Sequence, residues 1–210
     1  VATKLGLYNG ALLLIDERKL ASLTENREPR RALDDAYDQA LRYCLEQGLW
    51  NFAMRAVQID ASASVEPTFG FNNAFTKPDD FIRLQQIADN ERFEPPLLGN
   101  SVVDEPNYWF ANCDPLFVRY VSDDTAYGLD LSIWPATFTN YVEHHLAVRV
   151  CKRVTGKEAS DSLKNDLKRA RADARGKDAM NEPVGFPPAG TWSRSRGGMT
   201  SRSRWDGSFR

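Results

Sequence analysis

The chain has 210 residues, 42% of them apolar and 27% charged, with a formal net charge of −2. That length can bury a core without disulfide staples, and the near-neutral balance dictates neither nucleic acid nor a membrane as partner. Three widely spaced cysteines, Cys44, Cys113 and Cys151, read as free thiols of a reducing compartment and not as a disulfide framework. No apolar run approaches the roughly 20 residues of a spanning helix, and the first residues lack the basic and apolar stretches of a signal peptide. The expectation is a protein made in the cytoplasm with no membrane partner.

In chain order, Leu5, Tyr8, Leu12 and Ile15 are spaced three or four apart, which predicts a helix from Thr3, a natural N-cap, to Ile15. A second helix is expected from about Pro29 to Gln47. Its apolar face is Leu33, Tyr37, Ala40, Leu41, Cys44 and Leu45, and Gly48 stands where a left-handed terminating residue is wanted.

The helical period then lapses between Trp50 and Trp134. Short apolar runs alternate with turn formers such as Asn72-Asn73, Lys77-Pro78-Asp79-Asp80, Gly99-Asn100 and Ser122-Asp123-Asp124. Strands are predicted at Phe52 to Ile59, Ile82 to Ala88, Tyr108 to Ala111 and Leu116 to Val121. No intervening helix is long enough for a parallel crossover, so the sheet should be antiparallel.

The helical period returns at Pro135, with Ser132 or its turn as cap. The stripe is Val142, Leu146, Val150 and Val154, and Gly156 is the stop. A fourth helix, from about Glu158 to Asp178, carries Ala159, Leu163, Leu167, Ala170 and Ala174. Its remaining Lys, Arg and Asp residues form a solvated face or a contact to another subunit. The predicted class is α+β. Two helical hairpins, within residues 1–49 and 135–180, make a four-helix bundle, with a small antiparallel β-sheet domain inserted at 50–134.

Residues 181–210 form an extended arm rich in Arg, Ser, Gly and Pro, which buries too little apolar surface to order itself alone. A partner is expected to hold it, with Trp192, Trp205 and Phe209 as anchors and Arg194, Arg196, Arg202 and Arg204 reaching carboxylates. Phosphate is the alternative target of those arginines. Interleaved aromatics and glycine turns favour protein.

Catalytic patterns are scarce. His144 and His145 are adjacent, so on a helix they point about 100° apart and do not share a metal. The pairs Asp34-Asp35, Asp79-Asp80 and Asp123-Asp124 read as a helix-start charge and two turn caps, not as two carboxyls facing each other across a substrate. No phosphate-cradling glycine loop and no nucleophile–base motif is legible. The sequence therefore predicts no catalytic residue, no metal and no cofactor.

Several segments carry a resemblance. They are Leu7-Tyr8-Asn9-Gly10-Ala11-Leu12, Leu20-Ala21-Ser22-Leu23-Thr24, and Ala40-Leu41 with Gln47-Gly48-Leu49-Trp50-Asn51-Phe52-Ala53. Downstream come Phe75-Thr76-Lys77-Pro78-Asp79-Asp80-Phe81-Ile82-Arg83, Tyr120-Val121-Ser122-Asp123-Asp124 and Trp134-Pro135. Their order and spacing over the first 180 or so residues resemble phage tail tubular protein A and related head-to-tail adaptors of short-tailed phages, while the arm matches poorly.

The resemblance implies a structural virion protein of the tail or neck that assembles as a twelve-membered ring. Its implied neighbours are the portal protein above and a tail nozzle protein below, with double-stranded DNA passing through the lumen without sequence-specific binding. It also implies that Trp50 and Phe52 anchor the bundle–sheet junction, and that Pro78-Asp79-Asp80 is a register-setting turn. A virion cell-wall hydrolase and a nucleic-acid-binding protein working through the arm are the two other readings.

Overall fold

The computed structural model describes residues 1–67, 70–97 and 99–181. The architecture is α+β, with four helices flanking two small antiparallel three-stranded sheets. The helices are α1 (Lys4–Leu13), α2 (Glu28–Glu46), α3 (Ala136–Thr155) and α4 (Asp161–Met180). Between α2 and α3 run β1 (Met54–Ile59), β2 (Asn73–Thr76), β3 (Phe81–Ala88), β4 (Val102–Asp104), β5 (Tyr108–Ala111) and β6 (Leu116–Ser122).

Capping sets the helix ends. Thr3 accepts the Gly6 N–H at 3.1 Å and starts α1, and Ser160 accepts the Leu163 N–H at 3.2 Å and starts α4. The expected start of α4 near Glu158 thus shifts to Asp161, because Ser160 is the residue with a capping hydroxyl. Helix α3 begins after Pro135 with no side-chain cap. Ser132 instead bonds to Asp130, with its backbone N–H and its hydroxyl both donating to the Asp130 carboxylate. Gly156 ends α3 in the left-handed region at φ 73°, as the sequence predicts.

Gly48 does not play that part for α2, which closes on Gln47 at φ −72°. A side chain there is excluded for another reason: a Cβ on Gly48 would lie 2.7 Å from the Trp50 ring. This glycine admits an indole.

Helix α3 is the centre of the helical layer and packs against α1, α2 and α4, whereas α1 and α2 touch each other little. The connection between those two is held to α1 by Asn9. Its amide accepts the Leu20 N–H at 2.7 Å and donates to the Leu20 carbonyl at 3.2 Å. The buried core takes Leu7, Tyr8, Ala11 and Leu12 from α1 and Leu33, Ala40, Leu41, Cys44 and Leu45 from α2. To these it adds Phe138, Tyr141, Val142, Leu146 and Val150 from α3. Ala170 and Ala174 let α4 approach α3 closely.

The single sheet expected from the sequence is two. The first has the order β1-β6-β3 and the second β2-β5-β4. In the first, Met54 pairs with Val121 and Ile59 with Leu116, while β3 shifts register twice against β6, at Phe81/Arg83 and Leu84/Gln86. In the second, Phe75 pairs with Trp109. The sheets share a core of Phe75, Trp109 and Ala111 on one side and Ile87, Leu116, Val118 and Tyr120 on the other. Val121 belongs to the bundle core instead and half-buried Met54 packs against that core, so the first sheet joins both cores at its bundle end.

Candidate functional site

The arm residues singled out from the sequence, Trp192, Arg194, Arg196, Arg202, Arg204, Trp205 and Phe209, lie outside the described residues. Within the described residues, three places concentrate buried polar contacts or unbalanced charge.

The first is the bundle–sheet junction. Trp50 is 1% exposed, and its indole N–H donates to the carbonyls of Cys44 at 3.0 Å and Leu45 at 3.1 Å. It thereby adds a donor to two carbonyls in the last turn of α2. Phe52 and Trp134 each have their rings 4.8 Å from that of Phe138, and the Trp134 indole donates to the Gly128 carbonyl at 2.9 Å. Two arginines close the same helix end. Arg83 of β3 donates to the Glu46 carbonyl at 3.0 Å, and Arg171 of α4 reaches the Gln47 amide oxygen at 3.3 Å. Cationic groups at a helix C-terminus are favoured by the macrodipole. A cleft of about 250 Å³ opens beside them, lined by Leu49, Trp50, Arg83, Arg175 and Asp178.

The second is Asp80. The sequence reads it as a turn cap, but its carboxylate is a tertiary centre. It accepts from Arg55 of β1 at 2.8 Å, from the Tyr120 hydroxyl at 3.0 Å and from the Ser122 hydroxyl. Burial alone would raise this carboxyl, but hydrogen bonds from Ser122, Arg55 and Tyr120 outweigh it and hold the group below its ordinary value. Burial, with the bond to Asp80, pushes the Tyr120 phenol up. A carboxylate with its oxygens occupied in this way is a clamp across β1, the start of β3 and β6. Asp34 is likewise more than a helix-start charge. It accepts from Tyr8 at 2.7 Å and pairs with Arg30 and Lys4, tying α1 to α2. Asp124 does serve locally, accepting the Ala126 N–H at 2.8 Å.

The third is charge on two surfaces. Residues 50–134 hold thirteen acids against five bases, and residues 135–181 hold ten bases against six acids. On α4, Lys164, Lys168, Arg171 and Arg175 follow at intervals of four, three and four, so they share one flank. Sequence reasoning saw the charged helix but not this segregation, although the spacing was there to be read.

Neither histidine is a ligand in this arrangement. His144 Nδ1 is 2.8 Å from the Asn140 carbonyl, and His145 stacks on Tyr43 with ring centroids 4.7 Å apart. Burial pushes the Cys44 thiol up to about 12, far from a thiolate. Among the described residues no group of three or more His, Cys, Asp or Glu side chains is placed to hold a metal. No helix there is long and apolar enough to cross a membrane. Comparison with protein-family models and with curated protein sequences gives no match.

Proposed function

We propose that this chain is a head-to-tail adaptor of a phage virion, forming a ring that joins the portal to the tail and surrounds part of the DNA channel. The observation that carries the proposal is that segments bearing the resemblance meet in the fold, some of them at separations of 40 residues or more. Asn9 of the first segment bonds to Leu20 of the second. Gly48 makes room for Trp50 within the third. Phe52 packs near Trp134 at the junction, 6.4 Å between ring centroids. Asp80 of the fourth accepts from Tyr120 and Ser122 of the fifth.

In this role the protein acts by shape. A rigid junction fixes the angle between bundle and sheets, so that identical heterologous contacts repeat around an axis and close. The overall acidity of residues 50–134 suits a channel that must release DNA. The arm, with Trp192, Trp205, Phe209 and its arginines, serves as the segment that docks on the portal. The test is native mass of the purified chain, alone and mixed with its phage's portal ring, with and without residues 190–210. A closed multimeric complex with portal, weakened by the deletion, is expected. A monomer that ignores the portal overturns the proposal. Loss of peptidoglycan turbidity, or salt-sensitive DNA binding that needs the arm, would favour the hydrolase or nucleic-acid reading.

A further inference from the structure

The charge on the two surfaces is complementary within one chain. On the flank of α4, Lys164, Lys168 and Arg175 are exposed and Arg171 is half-buried. Together they make a cationic line roughly 16 Å long at 1.5 Å per residue. Lys164 is paired, at 3.5 Å, with Asp161, while Lys168, Arg171 and Arg175 have no ion pair among the described residues. At the C-terminal end of the line, exposed Arg83 and the 42% exposed side chain of Leu49 border the cleft described above. Arginine beside exposed apolar surface is the composition of a protein interface.

The opposite charge gathers at the far end of the first sheet. Ile59 pairs with Leu116, and Ala88 pairs with Phe117. Asp60, Asp89 and Asp114, which flank those residues, therefore stand together at one end of the sheet. Glu91 and Glu94 follow in the adjoining loop. All five are exposed, and none has an ion pair among the described residues; Arg92 is the cation of that loop. The other end of the sheet, at Met54 and Val121, meets the bundle core. The acidic end thus projects about 20 Å from the bundle, at 3.3 Å per strand residue.

We infer that the basic flank of α4 is a docking surface for the acidic far end of the first sheet of a second copy of this chain. Two different surfaces meet in such a contact, so when each pair of copies makes it once it is heterologous and propagates into a ring or a filament. The inference builds on the adaptor reading by naming the faces that would close the ring. Being electrostatic, the contact weakens with added salt.

Charge reversal tests it. Full-length chain carrying Lys168→Glu with Arg175→Glu, and chain carrying Asp89→Lys with Glu91→Lys, should each lose self-association, with the dissociation constant raised at least about tenfold. The chain with all four substitutions should regain it. Sedimentation velocity reads the assembly state, and circular dichroism checks that these exposed substitutions leave the fold intact. Wild-type assembly that survives both reversals, or no recovery in the four-substitution chain, overturns the inference while leaving the adaptor reading standing. Loss of duplex DNA binding on reversing α4, with assembly unchanged, assigns the flank to phosphate and also overturns it. Self-association that obeys the charge swap but never engages portal supports the contact and overturns the adaptor reading. A wild-type chain that stays monomeric with and without portal overturns both.

Discussion

Asn51 holds Asp178, 127 residues away, through both its backbone and its side chain, and is the donor in every bond. The Asp178 carboxylate accepts the Asn51 backbone N–H at 3.0 and 3.2 Å, and the Asn51 amide donates to the Asp178 carbonyl at 2.9 Å. The last turn of α4 is thereby fastened to the point where the chain leaves the bundle for the sheets. Asp178 is 8% exposed, and its loss leaves the Asn51 N–H without its carboxylate acceptor in a part-buried contact. Asp178→Ala should destabilise the chain by about 2 kcal/mol. Amide hydrogen exchange should show faster opening in the final turns of α4 before the rest of the bundle responds.

Asp80 is the corresponding fastening among the strands. Asp80→Asn keeps the shape but removes the charge that Arg55 and the two hydroxyls address. Its expected cost is about 2–3 kcal/mol, read as a lower urea midpoint. The pH dependence follows from the direction of the shift. Folded Asp80 titrates below its unfolded value, so its contribution is present above about pH 4 and is lost as pH falls through the folded value. The Asn variant should therefore be less sensitive than wild type to acid below pH 4.

His145 gives a second pH window. Burial, with Arg149 nearby, pushes its imidazole down to about 4, and Tyr43 and Tyr141 are the rings that face it. The unfolded chain takes up that proton near pH 6.5. Stability is therefore complete above about pH 6.5 and declines as pH falls toward 4. His145→Phe keeps a ring against Tyr43. Its thermal midpoint should change less than that of wild type between pH 7 and pH 5.

Glu143 works in the opposite sense. Burial raises its carboxyl, with only partial relief from His144, and a Cβ on Gly10 of α1 would lie 2.3 Å from the Glu143 carboxyl carbon. The protonated form is the one the fold favours, so stability is lost as pH rises through the folded value. Glu143→Gln should raise the thermal midpoint at pH 7, and the gain should vanish near pH 4.

Much of the fold was legible in the sequence because its signals are local. The α2 stripe from Leu33 to Leu45, the Thr3 cap and the Gly156 stop all act within a few residues. β2 and β4 escaped for opposite reasons. Asn72-Asn73 carries turn chemistry, yet Asn73 opens β2, because Phe75 is buried against the facing sheet. β4 is a three-residue edge strand, too short to show an apolar period, with only Val102 packed against the core. Gly48 shows a rule applied for the wrong reason: a glycine was needed, but the requirement comes from Trp50 two residues on. The roles of Asp80 and Asp178 depend on partners 40 and 127 residues away, and no spacing rule brings those together. The α4 flank was readable as spacing, but its complement emerges only when strand register gathers Asp60, Asp89 and Asp114.

The most direct test of the adaptor role is electron cryomicroscopy of the portal–tail neck isolated from virions that encode this chain. The expected result is a closed ring of this α+β fold directly beneath the portal, with the α4 flank of each copy against the sheet end of the next. A neck in which the ring below the portal has another fold, with this chain absent from it, would contradict the proposal.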